Sequence, residues 1–140
     1  AGRGAMSMTP TKAHAALDEM GVLADSHGPG VYALSVSVPD AVDAVQRRWL
    51  DAHDGPLPDA YAEQLAAADE CLYVGRSHDV YARLMDHMEH DVRRASFVSA
   101  FDVTAVRAVW PGENSGVAER DRARQLSDAT TCVWTDGELF

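Results

Sequence analysis

The stretch from Cys71 to His87, Cys-Leu-Tyr-Val-Gly-Arg-Ser-His-Asp-Val-Tyr-Ala-Arg-Leu-Met-Asp-His, limits the fold more than any other segment of the chain. It reads as a short strand, a glycine turn and a helix. Cys71 to Val74 alternate between two faces, as strand residues do. Gly75 is expected to end the strand, because glycine turns the backbone freely. Ser77 is a suitable helix N-cap, and Asp79 adds a negative charge to the first turn. Asp79, Arg83 and His87 fall four apart, on one helical stripe, with Leu84 and Met88 on the apolar stripe beside it. A cation and an imidazole are thus carried on a rigid helix next to a tyrosine-bearing strand, an arrangement suited to phosphate.

The rest of the chain supplies layers for that unit. Thr11 to Met20 fits a short helix ended by Gly21. Val31 to Val38 reads as a strand with Tyr32, Leu34, Val36 and Val38 on one face and small residues on the other. A helix starts near Pro39-Asp40, with Val42, Val45, Trp49 and Ala52 on one stripe. Gly55 to Pro58 is a linker, and Tyr61, Leu65 and Ala68 mark another short helix. Ser99 to Trp110 alternates as a third strand, Gly116 to Leu126 is a helix capped by Asn114 or Ser115, and Thr130 to Trp134 adds a short strand. The order α–β–(α–α)–β–α–β–α implies α+β or α/β, with three main strands and helices packed on them.

At 140 residues the chain holds one core. Residues 1–8 read as an expression scar or disordered lead ahead of a single domain over 9–140. No apolar run of ~18 residues and no secretory signal is found, so no membrane partner and a cytoplasmic location are expected. The formal charge is −10, and Lys12 is the one lysine against eleven arginines. A halophilic cytoplasm explains a self-repelling acidic surface, and an ordinary acidic protein explains it as well. Either way, loose nucleic-acid binding through a broadly basic surface is disfavoured. Cys71 and Cys132 lack metal-ligand spacing and read as small core residues.

Several side chains could carry chemistry. Glu119 shares a stripe with Ala123 and Leu126 that should face the sheet, where a carboxylate is costly unless it meets a cation. The alternative is a solvent boundary shared with Arg120, Arg122 and Arg124. Tyr32 and Tyr73 suit strand cores with the hydroxyl at the edge. His87 and His90 are three apart with His78 nearby, but no cysteine or carboxylate pair completes a zinc set. Gly28-Pro29-Gly30 precedes a strand, so it is neither a P-loop nor a dinucleotide fingerprint.

Gly30-Val31-Tyr32, Tyr73-Val74-Gly75, Arg83 eight residues after that glycine, His87 four further on, and Glu119 on a downstream helix together resemble the GIY-YIG nuclease superfamily. The run from Tyr73 to His87 is similar to the family's motif over its whole length, and the likeness covers roughly residues 30–126. It implies an α+β fold with a central three-stranded antiparallel sheet flanked by helices, here with a helical insertion at about 39–70 between the first two strands. It also implies hydrolysis of DNA phosphodiesters with a single Mg²⁺ or Mn²⁺. By position, Glu119 would hold the metal and Arg83 the scissile phosphate. Tyr32 and Tyr73 would flank the attacking water, and His87 would lie near the same phosphate. Arg76 and Gly75 would meet the substrate. A tyrosine base needs its pKa of ~10 lowered by the metal or Arg83, whereas a histidine near ~6.5 needs no help.

The chain departs from the family in its long insertion and in Asn114, its one asparagine, which precedes Glu119 where relatives often carry one after it. No separate DNA-binding domain is evident, so a homodimer or a partner protein would supply specificity. The alternative is a catalytically inactive module of the same fold that binds nucleic acid or protein.

Overall fold

The computed structural model describes residues 7–89 and 96–140. Most of the 1–8 lead, and His90 of the histidine group, lie outside the described residues. The elements are α1 (Pro10–Glu19), a 3₁₀ turn (Asp25–His27), β1 (Gly30–Val36), α2 (Val42–Ala52), α3 (Asp59–Ala67), β2 (Glu70–Ser77), α4 (Val80–Met88), α5 (Ser96–Ala100), β3 (Val103–Pro111), α6 (Gly116–Leu126), β4 (Thr131–Thr135) and β5 (Glu138–Leu139). The fold is α+β.

The sheet has five strands in the order β3-β1-β2-β4-β5 and is mixed, which corrects the expectation of a purely antiparallel three-stranded sheet. β1 lies antiparallel to both β2 and β3, β4 runs parallel to β2, and β5 returns antiparallel to β4. The extra pairing has a physical source. Cys132, Val133 and Trp134 are all buried, and a fully apolar run gains most as a strand covered on both faces. Asp136-Gly137 then forms the hairpin turn, with φ of 51° and 78° at its two residues, the geometry that Asp-Gly favours.

Alternation along β1 and β2 divides the core in two. Tyr32, Leu34, Val36 and Cys71 face the larger cluster with residues of α1 to α5. Val31, Ala33, Leu72 and Val74 face the smaller one beneath Ala123 of α6. The 39–70 insertion supplies Val45, Trp49, Leu57, Ala62 and Leu65 to the larger cluster. Cys71 and Cys132 are free thiols in register across β2 and β4. Their Sγ atoms donate to the Leu65 and Gln64 carbonyls of α3, and burial pushes the Cys71 thiol up to about 12.

Three local expectations change. Asp79, not Ser77, caps α4 by accepting from Ala82 N at 3.0 Å, while Ser77 Oγ bonds within the turn. β3 begins at Val103 rather than Ser99, because Ser99 and Ala100 belong to α5, whose Phe97 packs against Phe101 just past the helix end with ring centroids 5.1 Å apart. Gly75 does not end its strand. It lies inside β2, paired with Tyr32.

Candidate functional site

β4 accompanies β2 only from Glu70 to Tyr73. Arg76 and Ser77 run on beyond that pairing and line a cleft of about 460 Å³ with Tyr73, His78, Arg83, Asn114, Glu119 and Asp136. The cleft joins the two sides of the sheet. Alternation puts Arg76 on the face covered by α6, where Glu119 lies, and Tyr73 on the face covered by α4, where Arg83 lies.

Tyr32 and His87 sit behind this cleft and are almost fully buried. Tyr32 Oη is 2.8 Å from His87 Nε2. In the tautomer with its proton on Nδ1, the ring accepts the tyrosine O–H. Gly75 makes this approach possible. A Cβ there would stand 2.6 Å from Tyr32 Oη, 2.7 Å from Cζ and 3.0 Å from Tyr73 Cε2. The glycine is required by a ring crossing the strand and not by a turn.

The electrostatics are set chiefly by burial. It raises the Tyr32 hydroxyl well above the usual tyrosine range, with Tyr73 adding to the rise and Arg83 opposing it through its charge and a hydrogen bond. Tyr73 is raised for the same first reason, again opposed by Arg83. Arg83 is about a quarter exposed and pairs with Asp86 at 3.8 Å. Both phenols therefore rest protonated at neutral pH, and Arg83 is the group that eases their ionisation.

Glu119 is 9 % exposed. Burial raises its carboxyl above the usual range, Arg76 opposes the rise and Asp136 adds to it. The helix carrying it is held at its start. Ser115 Oγ caps α6 through Ala118 N, and Arg122 bonds Glu113 while lying 4.8 Å over the Trp110 ring. Replacing Asp136 with Asn removes one of the charges that raise Glu119. Its carboxyl should then titrate at a lower pH, a shift read directly from the ¹³C resonance of Glu119 in the two proteins.

Of the residues singled out from the sequence, Tyr73, Arg76, Arg83 and Glu119 line the cleft. Tyr32 and His87 form the buried pair behind it, and Gly75 is the contact that lets Tyr32 pass. Sequence reading did not place Ser77, Asn114 or Asp136 at the site, and it weighed His78 only as a zinc ligand. The Asp-Gly hairpin signal could have located Asp136. Nothing in the spacing joins His78 to Asn114, whose Nδ2 lies 3.0 Å from His78 Nδ1.

Among the described residues no group of three or more His, Cys, Asp and Glu side chains is arranged to hold a metal. Glu119 and Asp136 both line the cleft, and carboxylate oxygen is the donor type that suits a divalent cation retaining several waters. Arg76 and Arg83 bring two cations to the same space, so an anion and a cation can be held side by side. No helix among the described residues is long and apolar enough to cross a membrane. No family model matches the chain, and neither curated proteins nor solved structures give a match.

Proposed function

We propose that the protein is a GIY-YIG-type endonuclease that hydrolyses DNA phosphodiesters. The observation that carries this reading is one cleft in which Arg76 and Arg83 meet Glu119 and Asp136, backed by the buried Tyr32–His87 pair. Phosphodiester hydrolysis needs an activated oxygen nucleophile, neutralisation of charge on the phosphoryl oxygens and stabilisation of the leaving oxygen. The antiparallel trio β3-β1-β2 supports the family reading by carrying Tyr32 and Tyr73 on adjacent strands.

Arg83 binds the non-bridging oxygens of the scissile phosphate and strengthens its hold as their charge grows. Tyr73, at the cleft wall, orients the attacking water. Tyr73 takes a proton from that water as its own passes to Tyr32, to which it is hydrogen-bonded, and the Tyr32 proton passes to His87 Nε2, so no free phenolate has to form against the rise that burial imposes. Glu119, with Asp136 beside it, would hold Mg²⁺ or Mn²⁺, which when bound supplies Lewis-acid stabilisation of the phosphoryl charge.

Incubation with supercoiled plasmid and Mg²⁺ or Mn²⁺ at graded salt tests the reading. The wild-type protein should nick the plasmid, and Arg83→Ala should lower the rate by at least about a hundredfold, as loss of a transition-state charge contact does. DNA binding with no nicking in any metal or salt would instead favour the inactive binding module. With a net charge of −10 a broad basic surface is lacking, so a second copy or a partner protein would supply additional DNA contacts.

A further inference from the structure

We propose that His78, fixed by Asn114, is a neutral hydrogen-bond donor to a phosphate of the bound strand, a contact separate from the one made by Arg83; this rests on the nuclease reading of the cleft. The two residues come from different connections. His78 lies in the turn between β2 and α4, and Asn114 lies between β3 and α6. Both line the cleft, and Asn114 Nδ2 stands 3.0 Å from His78 Nδ1. An amide nitrogen only donates, so Nδ1 is the acceptor and the ring proton is on Nε2. Among the described residues Nε2 has no partner.

The two connections that carry the pair are each tied down. Ser77 Oγ accepts from Asp79 N at 3.1 Å and donates to Asp79 O at 3.0 Å, spanning His78. On the other side, Gly112 N donates to Pro29 O at 2.8 Å, and Arg122 grips Glu113 next to Asn114. The donor is thus in place before a ligand arrives, at little ordering cost. What it needs is an acceptor. With Arg76 and Arg83 lining the same cleft, the acceptor that fits is anionic, and the oxygens of a phosphate backbone supply it. An uncharged donor adds affinity without releasing a counterion, which separates it from the arginines.

The test is the affinity for a short fluorescein-labelled DNA duplex in EDTA, measured over a range of salt, for wild type, His78→Ala, His78→Gln and Arg76→Ala. His78→Ala should bind roughly tenfold more weakly, the usual loss for a hydrogen bond to a charged group, with the salt slope unchanged. Arg76→Ala should lower that slope by about 0.9. His78→Gln, which keeps a neutral N–H donor, should recover most of the affinity. Imidazole ¹⁵N spectra should show the His78 proton on Nε2, and that resonance should move on addition of thymidine 3′,5′-bisphosphate. Unchanged affinity in His78→Ala, a salt slope that falls as for an arginine, or a proton on Nδ1 would each overturn the proposal. If wild type fails to bind the duplex at all, the nuclease reading falls. The Nε2 response to the bisphosphate then decides the phosphate contact by itself, a shift supporting it and no shift overturning it.

Discussion

Glu119→Gln is expected to remove plasmid nicking, by at least about a hundredfold, while raising the thermal stability of the protein at neutral pH. The two effects have opposite signs because they come from one property. Glu119 is buried, and burial holds its carboxyl above the usual range. A carboxyl whose pKa is higher in the folded state binds its proton more tightly there than in the unfolded chain. Its ionisation therefore costs nothing below the unfolded value. The cost grows as pH rises through that value and is complete above the folded one. At neutral pH the wild-type fold carries that cost, and a neutral amide of the same shape does not. Under the proposed nuclease reading, the charge that carries this cost would hold a hard cation. Thermal melts at pH 4 and pH 7 provide the check. The stabilisation of the variant over wild type should be larger at pH 7. Nicking that survives in Glu119→Gln would remove this residue as the cation ligand.

Gly75→Ala should be the most damaging single methyl group that can be added near the site. The new Cβ would stand 2.6 Å from Tyr32 Oη and 2.7 Å from Cζ, well inside contact distance. A ring end can often swing away, but this one is 1 % exposed and bonded to His87. Relief has to come from strand β1 or from breaking the buried tyrosine–histidine bond. Overpacking of this kind costs about 1–3 kcal/mol, to be seen as a fall in melting temperature of several degrees. Displacing Tyr32 by about 1 Å should also cost roughly a hundredfold in nicking rate. Gly116→Ala is the matched control. A Cβ there meets nothing within 4 Å, and the position begins a helix, where alanine is preferred to glycine. That variant should melt at or above the wild-type temperature. Equal melting temperatures for Gly75→Ala and wild type would show that the tyrosine has room to move.

These contrasts also mark what spacing along the chain reveals. The Asp79–Arg83–His87 stripe is legible because helical period places residues four apart on one face, whatever the surroundings. The same period puts Glu119 and Ala123 on one stripe of α6, and only the structure shows that stripe buried rather than at the solvent boundary. Strand alternation likewise separates Tyr32 and Leu34 from Val31 and Ala33. Gly75 shows the limit. Its residue type is equally consistent with a turn and with a close crossing, and only the position of Tyr32 across the strand pair distinguishes them. β3 was misjudged at its start because Ser99 to Val103 fits both periods over a short window, and the Phe97–Phe101 contact decides for the helix. Parallel pairing of β4 with β2 needs a partner far away in sequence, and local pattern carries no record of it.

By itself, then, the sequence determined which side chains share a face. It narrowed the class to α+β or α/β and set the helix that bears Arg83 and His87 and the helix that bears Glu119, because backbone periods are local properties of the chain. Tertiary structure decided which faces meet. It ended the β4 pairing at Tyr73, and Arg76, Arg83 and Glu119 line the cleft beyond that point. It brought Asp136 in on a hairpin turn and joined His78 to Asn114 across two connections. Those meetings depend on strand order and on the packing of elements distant in sequence, and on burial, which raises the carboxyl of Glu119 and the hydroxyls of Tyr32 and Tyr73.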